Sequence, residues 1–236
     1  MHLQPNLDQK IPQNNVIDWE QIQQIPIHAN QDPLIKIDIN NQRNLILEPY
    51  YYQQKIAGAV ADFYIRKQVL EKLHLASQQL PQGLHLMLLD AWRPYPLQAA
   101  LVESFNAEIS ARYPTHSEDE KQKILSLFVS APSLDPRQPS PHMTGGSVDV
   151  TLCDENGQAL NLGTAFDEPI EESWTAALEK YPEHSAQRLR RVLYWAMHHA
   201  GFTNLPSEWW HFDYGNQLWA YFKQQPTAYY LGIPTL

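Results

Sequence analysis

The sequence feature that most constrains the fold lies between residues 140 and 153. It reads Ser-Pro-His-Met-Thr-Gly-Gly-Ser-Val-Asp-Val-Thr-Leu-Cys, so a histidine and two glycines stand before a run that alternates between polar and apolar residues. Alternation with period two is typical of a β-strand with one buried face, and it predicts a strand over 145–153. Asp149 then lies on the polar face of that strand, and the glycines allow a tight turn that directs His142 toward it.

A second short motif near the C-terminus, Ser-Glu-Trp-Trp-His over 207–211, has the residue types that complete a metal site. Zinc binds neutral imidazole and carboxylate oxygen, and catalytic zinc sites keep three protein ligands so that water can take the fourth position. We therefore predict that His142, Asp149 and His211 hold one zinc ion per chain. Glu208 is left as a carboxylate that can take a proton from water.

Three more residues complete the predicted catalytic group. Trp209 and Trp210 stand beside Glu208 and are expected to form an apolar wall, which raises a carboxyl pKa. Arg93 follows a predicted strand and is the candidate cation for stabilising an oxyanion. Each signal alone has an ordinary structural explanation, such as a strand with two buried indoles or an arginine at the surface. The prediction rests on their occurrence together.

Composition limits the partners and the compartment. The 236 residues suffice for one compact core, and we predict an N-terminal extended arm over 1–33 and a single domain over 34–236. A net charge of −9 without basic clusters argues against nucleic acid or an anionic membrane as partner, and favours a small ligand. No leader peptide or membrane-spanning run is evident, and the only cysteine, Cys153, excludes an internal disulfide. We therefore expect a cytoplasmic protein, with a homo-oligomer left open.

Hydrophobic periodicity predicts a mixed fold. The predicted strands cover 34–39, 84–90, 145–153 and 208–214, and the predicted helices cover 58–80, 96–112, 118–128 and 187–200. Strands and helices mix without regular βαβ alternation, which favours the α+β class with a small, mainly antiparallel sheet flanked by helices.

Other chemistries lack their signatures. The chain has no Gly-x-Ser-x-Gly elbow around Ser147 and no His-Glu-x-x-His helix, which argues against a serine hydrolase and a thermolysin-like protease. Cys153 is expected to be a packed, inert thiol. His198 and His199 are expected to stabilise the end of a helix.

Four motifs in order carry a resemblance to a known family. The first two are Ser140-x-His142-x2-Gly145-x-Ser147-x-Asp149 and Glu208-Trp-Trp-His211. The others are Asp-Ala-Trp-Arg-Pro-Tyr over 90–95 and Leu-Gly-Thr-Ala-Phe-Asp over 162–167. Together, over roughly residues 34–214, the chain resembles the zinc D-alanyl-D-alanine dipeptidases of the VanX type, within the larger group of D,D-peptidases related to hedgehog domains.

The resemblance implies a role for each motif residue. His142, Asp149 and His211 correspond to the zinc ligands, Glu208 to the general base and acid, and Arg93 to the group that stabilises the transition state. The two ends of the dipeptide would be contacted by Asp167, at the ammonium, and Ser140. The implied reaction is hydrolysis of D-Ala-D-Ala or a related short D,D-dipeptide in peptidoglycan turnover.

One departure from the family pattern concerns the amine side of the substrate. The family carries a tyrosine shortly after an Ile-Asp strand, and the stretch 37–45 has no aromatic residue here. Tyr50, Tyr51 and Tyr52 are the candidates to replace it. Two alternative functions stay open at this point: a D,D-carboxypeptidase or muropeptide endopeptidase of the same group, and a metal-containing binding module without catalysis.

Overall fold

The computed structural model describes residues 9–13, 17–38 and 44–236. The strands are β1 (Leu34–Lys36), β2 (Leu45–Leu47), β3 (Tyr64–Arg66), β4 (His85–Asp90), β5 (Ser147–Cys153), β6 (Thr203–Asn204) and β7 (His211–Asp213). The helices are α1 (Trp19–Gln24), α2 (Tyr50–Gln53), α3 (Lys67–Ser77), α4 (Tyr95–Arg112), α5 (Glu118–Phe128), α6 (Ser185–His199) and α7 (Gln217–Phe222). None of these helices is both long and apolar enough to cross a membrane.

Five strands form one sheet in the order β2-β4-β5-β7-β6. Strands β4, β5, β7 and β6 pair antiparallel along this order, whereas β2 pairs parallel with β4. Strands β1 and β3 form a separate antiparallel pair. The predicted α+β class with a small, mainly antiparallel sheet and flanking helices is confirmed.

The alternation in β5 places its two kinds of side chain on opposite faces of the sheet. Val148, Val150 and Leu152 are fully buried in the main core, together with side chains of α3 and α6. Asp149 points to the other face, yet all seven residues of β5 are buried. The predicted polar face of β5 is therefore buried as well, so charged groups on this face lie in a region of low dielectric constant.

The helix predicted over 58–80 is wrong in its first part. Residues Tyr64–Arg66 form β3, and the helix begins only at Lys67. β3 pairs with β1, and the Arg66 side chain donates hydrogen bonds to the carbonyl oxygens of Asp32 and Thr144. Side-chain spacing alone favours a helix over this stretch, but pairing with a distant strand overrides local propensity.

The other predicted helices and strands differ from the observed ones mainly at their ends. The strand predicted over 208–214 shortens to β7, because residues before His211 form a turn. The Ser117 cap of α5 is present as a full capping box with Glu120. Gly201, with φ +102°, follows the end of α6 as predicted. Residue 39, the end of the first predicted strand, lies outside the described residues.

The described part of the predicted N-terminal arm contains one helix, α1. The carboxylate of Asp18 accepts a hydrogen bond from the backbone of Gln21 and so caps α1. The side chain of Gln217 on α7 holds the end of this helix, because it donates hydrogen bonds to the carbonyl oxygens of Gln23 and Ile25. The division of the chain at residue 33 stays a prediction.

Candidate active site

The three predicted metal ligands come from neighbouring parts of the sheet. Asp149 on β5 lies opposite His211 on β7 in the antiparallel register. His142 lies in the 3₁₀ turn Pro141–Thr144 that leads into β5. Gly145 makes the connection with φ +71°, in the left-handed region that favours glycine.

The ligand atoms of these three residues converge on one point. The distance from His142 Nε2 to His211 Nδ1 is 3.1 Å, and the distances from these nitrogens to Asp149 Oδ1 are 3.4 and 3.1 Å. Ligand atoms bound at 2.0–2.1 Å to a tetrahedral zinc ion lie about 3.3 Å from one another. The donor set and its spacing therefore fit zinc. All three residues are buried.

The outward-facing nitrogens of the two imidazoles are held by acceptors. His142 Nδ1 lies 2.7 Å from the carbonyl oxygen of Ala91, which only accepts, so Nδ1 carries the proton and leaves the Nε2 lone pair free. His211 Nε2 lies 3.1 Å from the carboxylate of Asp213. Ser147 and Asn216 both donate hydrogen bonds of 2.7 Å to Asp213, which fixes its carboxylate.

Asp213 was not predicted from the sequence, and its position yields a test. Replacing it by alanine should weaken zinc binding by about 10- to 100-fold, because the His211 ring loses the partner that orients it. The measurement is the zinc dissociation constant from competition with a chelator. Asp62→Ala, at an exposed carboxylate outside the site, is the control. An unchanged zinc affinity in a folded Asp213→Ala protein would contradict the inference.

Glu208 lies beside the three ligand atoms without joining them. It belongs to the turn before β7, and its Oε2 atom is 3.7 Å from His211 Nδ1. The residue is only 6% exposed. Burial raises the pKa of Glu208 well above its ordinary value, and the negative charges of Asp149 and Asp167 add to this effect. The direction agrees with the sequence-based expectation, but Trp209 and Trp210, although buried, are not among the residues that line the cavity.

Arg93 lies on the loop after β4 and is 6% exposed. Its guanidinium contacts Asp90 at 2.8 Å and Asp149 at 3.4 Å, and it donates a hydrogen bond to Gln98. Burial lowers the pKa of Arg93, but Tyr51 and the two aspartates outweigh it, so the pKa rises and the cation stays charged. A fixed buried cation thus faces the same cavity as the ligand atoms.

Asp167 lines the same cavity, where it is partly buried, and its backbone has a positive φ. Its φ of +62° lies in the left-handed region, which few residues other than glycine, asparagine and aspartate adopt. Tyr51 donates a hydrogen bond of 2.5 Å to its carboxylate. Burial, with the negative charge of Asp149, raises the pKa of Asp167 to about 7. Among the three tyrosine candidates, the structure thus places Tyr51 beside Asp167, whereas Tyr52 is 52% exposed.

Ser140 is the one predicted site residue that does not line the cavity of the ligand atoms. It is 2% exposed, and among the described residues its Oγ atom has no hydrogen-bond partner. It lines a neighbouring pocket of about 220 Å³. The other six predicted site residues line one cavity of about 30 Å³: Arg93, His142, Asp149, Asp167, Glu208 and His211.

Sequence reasoning missed four residues around this cavity. Asp213 follows His211 by two positions in a strand, so period-two spacing was an available signal. Gln98 and Asp90 flank Arg93 in the chain and bind its guanidinium. Trp19 also lines the cavity. It belongs to α1, which is far in sequence from the other site residues, so no local motif predicts it.

A buried cluster of two imidazoles and one carboxylate, with a further carboxylate that does not ligate, is typical of a zinc-dependent hydrolase. The sequence model of the peptidase M15 family, described as D-Ala-D-Ala dipeptidase, matches residues 34–229, and the chain belongs to this family. The predicted resemblance is confirmed, and with it a metallopeptidase, zinc as its metal and hydrolysis of D-Ala-D-Ala.

Curated relatives agree with the family match. A D-alanyl-D-alanine dipeptidase from Synechocystis sp. is 29% identical over 219 residues, which cover 84% of this chain and 87% of the relative. A D-alanyl-D-alanine dipeptidase from Escherichia coli is 33% identical over 131 residues, or 56% of this chain and 55% of the relative.

A solved structure also aligns with this chain. It is a zinc complex of a variant of the vancomycin resistance D,D-pentapeptidase VanY, and it aligns with a TM-score of 0.39 at 13% identity, covering 86% of this chain and 90% of that chain. A TM-score this low gives no information about the site residues.

Proposed function

We propose that this chain hydrolyses D-Ala-D-Ala with the residues of the cavity in defined roles. His142, Asp149 and His211 hold the zinc ion, and Glu208 is the general base and acid. The observation that carries the proposal is the convergence of three ligand atoms, at 3.1–3.4 Å from one another, beside a second carboxyl group, that of Glu208, which stays outside the ligand set.

When bound, the zinc ion supplies Lewis-acid polarisation of a carbonyl and lowers the pKa of water. Glu208 accepts a proton from the water molecule that attacks the scissile carbonyl carbon. The raised pKa of its carboxyl group suits this step, because the protonated form is then stable enough to act as an acid. Glu208 gives the proton to the amide nitrogen, the C–N bond breaks, and two D-alanine molecules are released.

Arg93 stabilises the negative charge that develops on the carbonyl oxygen. The guanidinium is already oriented by Asp90, Gln98 and Asp149, so it needs little rearrangement during the reaction. Preorganised charges in a site that excludes water are effective for this reason. Five of the six predicted site residues in the cavity are nearly inaccessible to solvent, which strengthens each electrostatic contact: Arg93, His142, Asp149, Glu208 and His211.

Asp167 and Ser140 contact the two ends of the dipeptide. The Asp167 carboxylate, with Tyr51 bound to one oxygen, is positioned to receive the substrate ammonium. Ser140 offers a buried hydroxyl without a partner among the described residues, which is the condition of a group that binds a ligand. A charged ammonium would lose its hydration here, so a buried carboxylate is needed to compensate.

The enclosed cavity argues against the alternative of a D,D-carboxypeptidase or muropeptide endopeptidase. Leu127, Phe128 and Trp19 stand around the ligand atoms as apolar walls, whereas a peptidoglycan stem needs an open cleft. The alternative of a binding module without catalysis is disfavoured because Glu208 and Arg93 both face the cavity. Neither residue is needed merely to hold a metal.

The function is tested by measuring D-alanine release by the purified zinc protein. We expect hydrolysis of D-Ala-D-Ala and little or none of L-Ala-L-Ala, N-acetyl-D-Ala-D-Ala or a muropeptide. Removal of zinc by a chelator should stop the reaction, and added zinc should restore it. Preferred hydrolysis of the muropeptide would favour the second candidate function instead.

The role of Asp167 predicts opposite effects on binding and stability. Asp167→Asn should raise the KM for D-Ala-D-Ala by at least about tenfold, because a buried partner of the ammonium is lost. The same variant should unfold at a higher temperature at neutral pH. Asparagine tolerates the φ of +62° and carries no charge to bury.

The pH dependence follows from the raised pKa of Asp167, about 7 when folded against about 4 in an unfolded chain. Between these values the folded protein binds more protons than the unfolded chain, so this group makes the wild type less stable as pH rises. The comparison uses the zinc-free proteins, in which Asp149 keeps the negative charge that helps to raise the pKa of Asp167. Melting temperatures of both proteins between pH 4 and 8 should therefore diverge as pH rises, by ~2–4 °C for each kcal/mol. If the melting temperatures of the two proteins ran parallel with pH, the raised pKa of Asp167 would be contradicted.

The substrate partner and the cellular location are two further parts of this proposal. We propose a small dipeptide as the substrate partner, without nucleic acid or membrane. The single, buried thiol of Cys153 is compatible with the reducing, cytoplasmic compartment that we propose. Fractionation of the native host, followed by detection with an antibody, tests the location.

A further inference from the structure

The two tryptophans of the Glu-Trp-Trp-His motif have a place in the structure that the catalytic roles do not explain. Trp209 and Trp210 stand in the sequence between Glu208 and His211, yet neither lines the cavity of the ligand atoms. Both are buried, with exposed fractions of 4% and 1%. Their side chains instead contact the loop over 162–167, which ends at Asp167 and carries that residue into the cavity.

Trp209 contacts the middle of this loop through its indole nitrogen. Its Nε1 atom donates a hydrogen bond of 2.8 Å to the hydroxyl oxygen of Thr164, which lies shortly before Asp167 in the chain. The backbone nitrogen of Trp209 donates a hydrogen bond of 3.0 Å to the carbonyl oxygen of Ser173. The hydroxyl groups of Ser173 and Thr164 lie 3.1 Å apart. These contacts join the turn before β7 to the loop.

Trp210 contacts the same loop by packing. Its ring centroid lies 5.4 Å from that of Phe166, with the two ring planes at 74°. Phe166 directly precedes Asp167 and also packs edge to face against Tyr50. The two tryptophans therefore hold two loop residues close to Asp167, one by a hydrogen bond and the other by an apolar contact.

Asp167 depends on such contacts because it ends an irregular loop with φ of +62°. A left-handed conformation costs free energy in a residue with a Cβ atom, and it persists where the surrounding structure maintains it. At the start of the loop, Arg190 donates a hydrogen bond of 2.7 Å to the carbonyl oxygen of Leu162. At its end, Tyr51 donates to the carboxylate of Asp167. The hydrogen bond from Trp209 fixes the loop between these two points.

We propose that Trp209 is a positioning residue for the amine side of the substrate site. Its hydrogen bond to Thr164 keeps the loop where the Asp167 carboxylate meets the substrate ammonium. This inference rests on the proposed function, in which Asp167 has that role.

The position of Trp209 in the chain explains why this residue suits the role. It follows Glu208 directly, so one turn carries the general base and also fixes the distance from that base to the partner of the ammonium. In a dipeptide the scissile carbonyl is separated from the ammonium by a single carbon atom. A fixed distance between Glu208 and Asp167 therefore helps to place this carbonyl for attack by water.

The test uses Trp209→Phe in the zinc-loaded full chain. Phenylalanine keeps an aromatic ring in the core and removes the Nε1 donor. We expect KM for D-Ala-D-Ala to rise by about 3- to 10-fold, as for the loss of one hydrogen bond, and kcat to stay within about twofold of the wild type. A defect that merely loosened the turn would displace Glu208 and lower kcat. Zinc should stay near one ion per chain.

A double-mutant cycle with Asp167→Asn shows whether the effect passes through Asp167. In the Asp167→Asn protein the partner of the ammonium is already lost. Adding Trp209→Phe to it should therefore lower kcat/KM by less than about twofold further.

Two more variants isolate the hydrogen bond itself. Thr164→Val removes the acceptor of the same bond with little change of shape, so it should match Trp209→Phe, and it replaces that variant if the latter does not fold. Trp219→Phe is the matched control and should keep the wild-type KM and kcat. Trp219 is another buried indole whose Nε1 atom donates a hydrogen bond, but to the carbonyl oxygen of Gly201.

Several results would overturn the proposal. They are an unchanged KM in folded Trp209→Phe or Thr164→Val, a fall in kcat at unchanged KM, and a loss of zinc. An undiminished effect of Trp209→Phe in the Asp167→Asn protein, or an equal rise of KM in Trp219→Phe, overturns it as well. Failure of the proposed function is read separately, as zinc-loaded wild type that releases no D-alanine or as Asp167→Asn with a wild-type KM, and it overturns both.

Discussion

Glu208→Ala should lose catalysis while keeping the metal. We expect kcat for D-Ala-D-Ala to fall by about 100- to 10,000-fold, which is the usual contribution of a general acid and base. Zinc should stay near one ion per chain, because the Oε2 atom of Glu208 lies 3.7 Å from His211 Nδ1 and outside the set of converging ligand atoms. The measurements are steady-state kinetics and metal analysis of the same preparation.

Two further variants make this result specific. Glu208→Gln keeps the shape of the side chain without its basicity and should lose activity almost as fully. Glu172→Ala changes an exposed glutamate outside the cavity and should behave as the wild type. Loss of zinc together with activity in Glu208→Ala would mean that this carboxylate is a ligand, and retained activity would remove it from the mechanism. Burial of a neutral glutamine is also less costly than burial of a charge, so the variant should fold.

His142→Ala should lose the metal itself, and with it the reaction. His142 supplies one of three ligand atoms, and its Nε2 is the atom oriented by the hydrogen bond from Nδ1 to Ala91. Two remaining ligands bind zinc far more weakly than three, so we expect zinc occupancy well below one and hydrolysis close to the limit of detection. Metal analysis after dialysis against a weak chelator measures the occupancy.

Thermal unfolding distinguishes this loss from a general folding defect. A ligand that binds only the folded state raises the melting temperature, so a chelator should lower that of the wild type. The same chelator should leave the melting temperature of His142→Ala unchanged. His116→Ala, at an exposed histidine, should respond to the chelator as the wild type does. A variant that still binds zinc stoichiometrically would exclude His142 from the ligand set.

Local sequence patterns identified the strand that carries the site. The alternation over 145–153 predicts β5 because the period of two reflects strand geometry itself, and the structure confirms Val148 and Val150 in the core. Helical spacing failed over 58–66 for the opposite reason. There the decisive contact is the pairing of β3 with β1, and a pattern within a single segment contains no information about its partner.

The sequence by itself determined the chemistry available to this protein: two histidines and an aspartate able to bind zinc, a spare glutamate, an arginine and a second aspartate. Residue type and short spacing suffice for that, because ligand chemistry belongs to the side chains. Only the tertiary structure decided which residues surround this group. Tyr51 meets Asp167 across 116 residues of chain, and Trp19 meets Ser126 across 107. Such contacts depend on how the whole core packs, and no local rule encodes them.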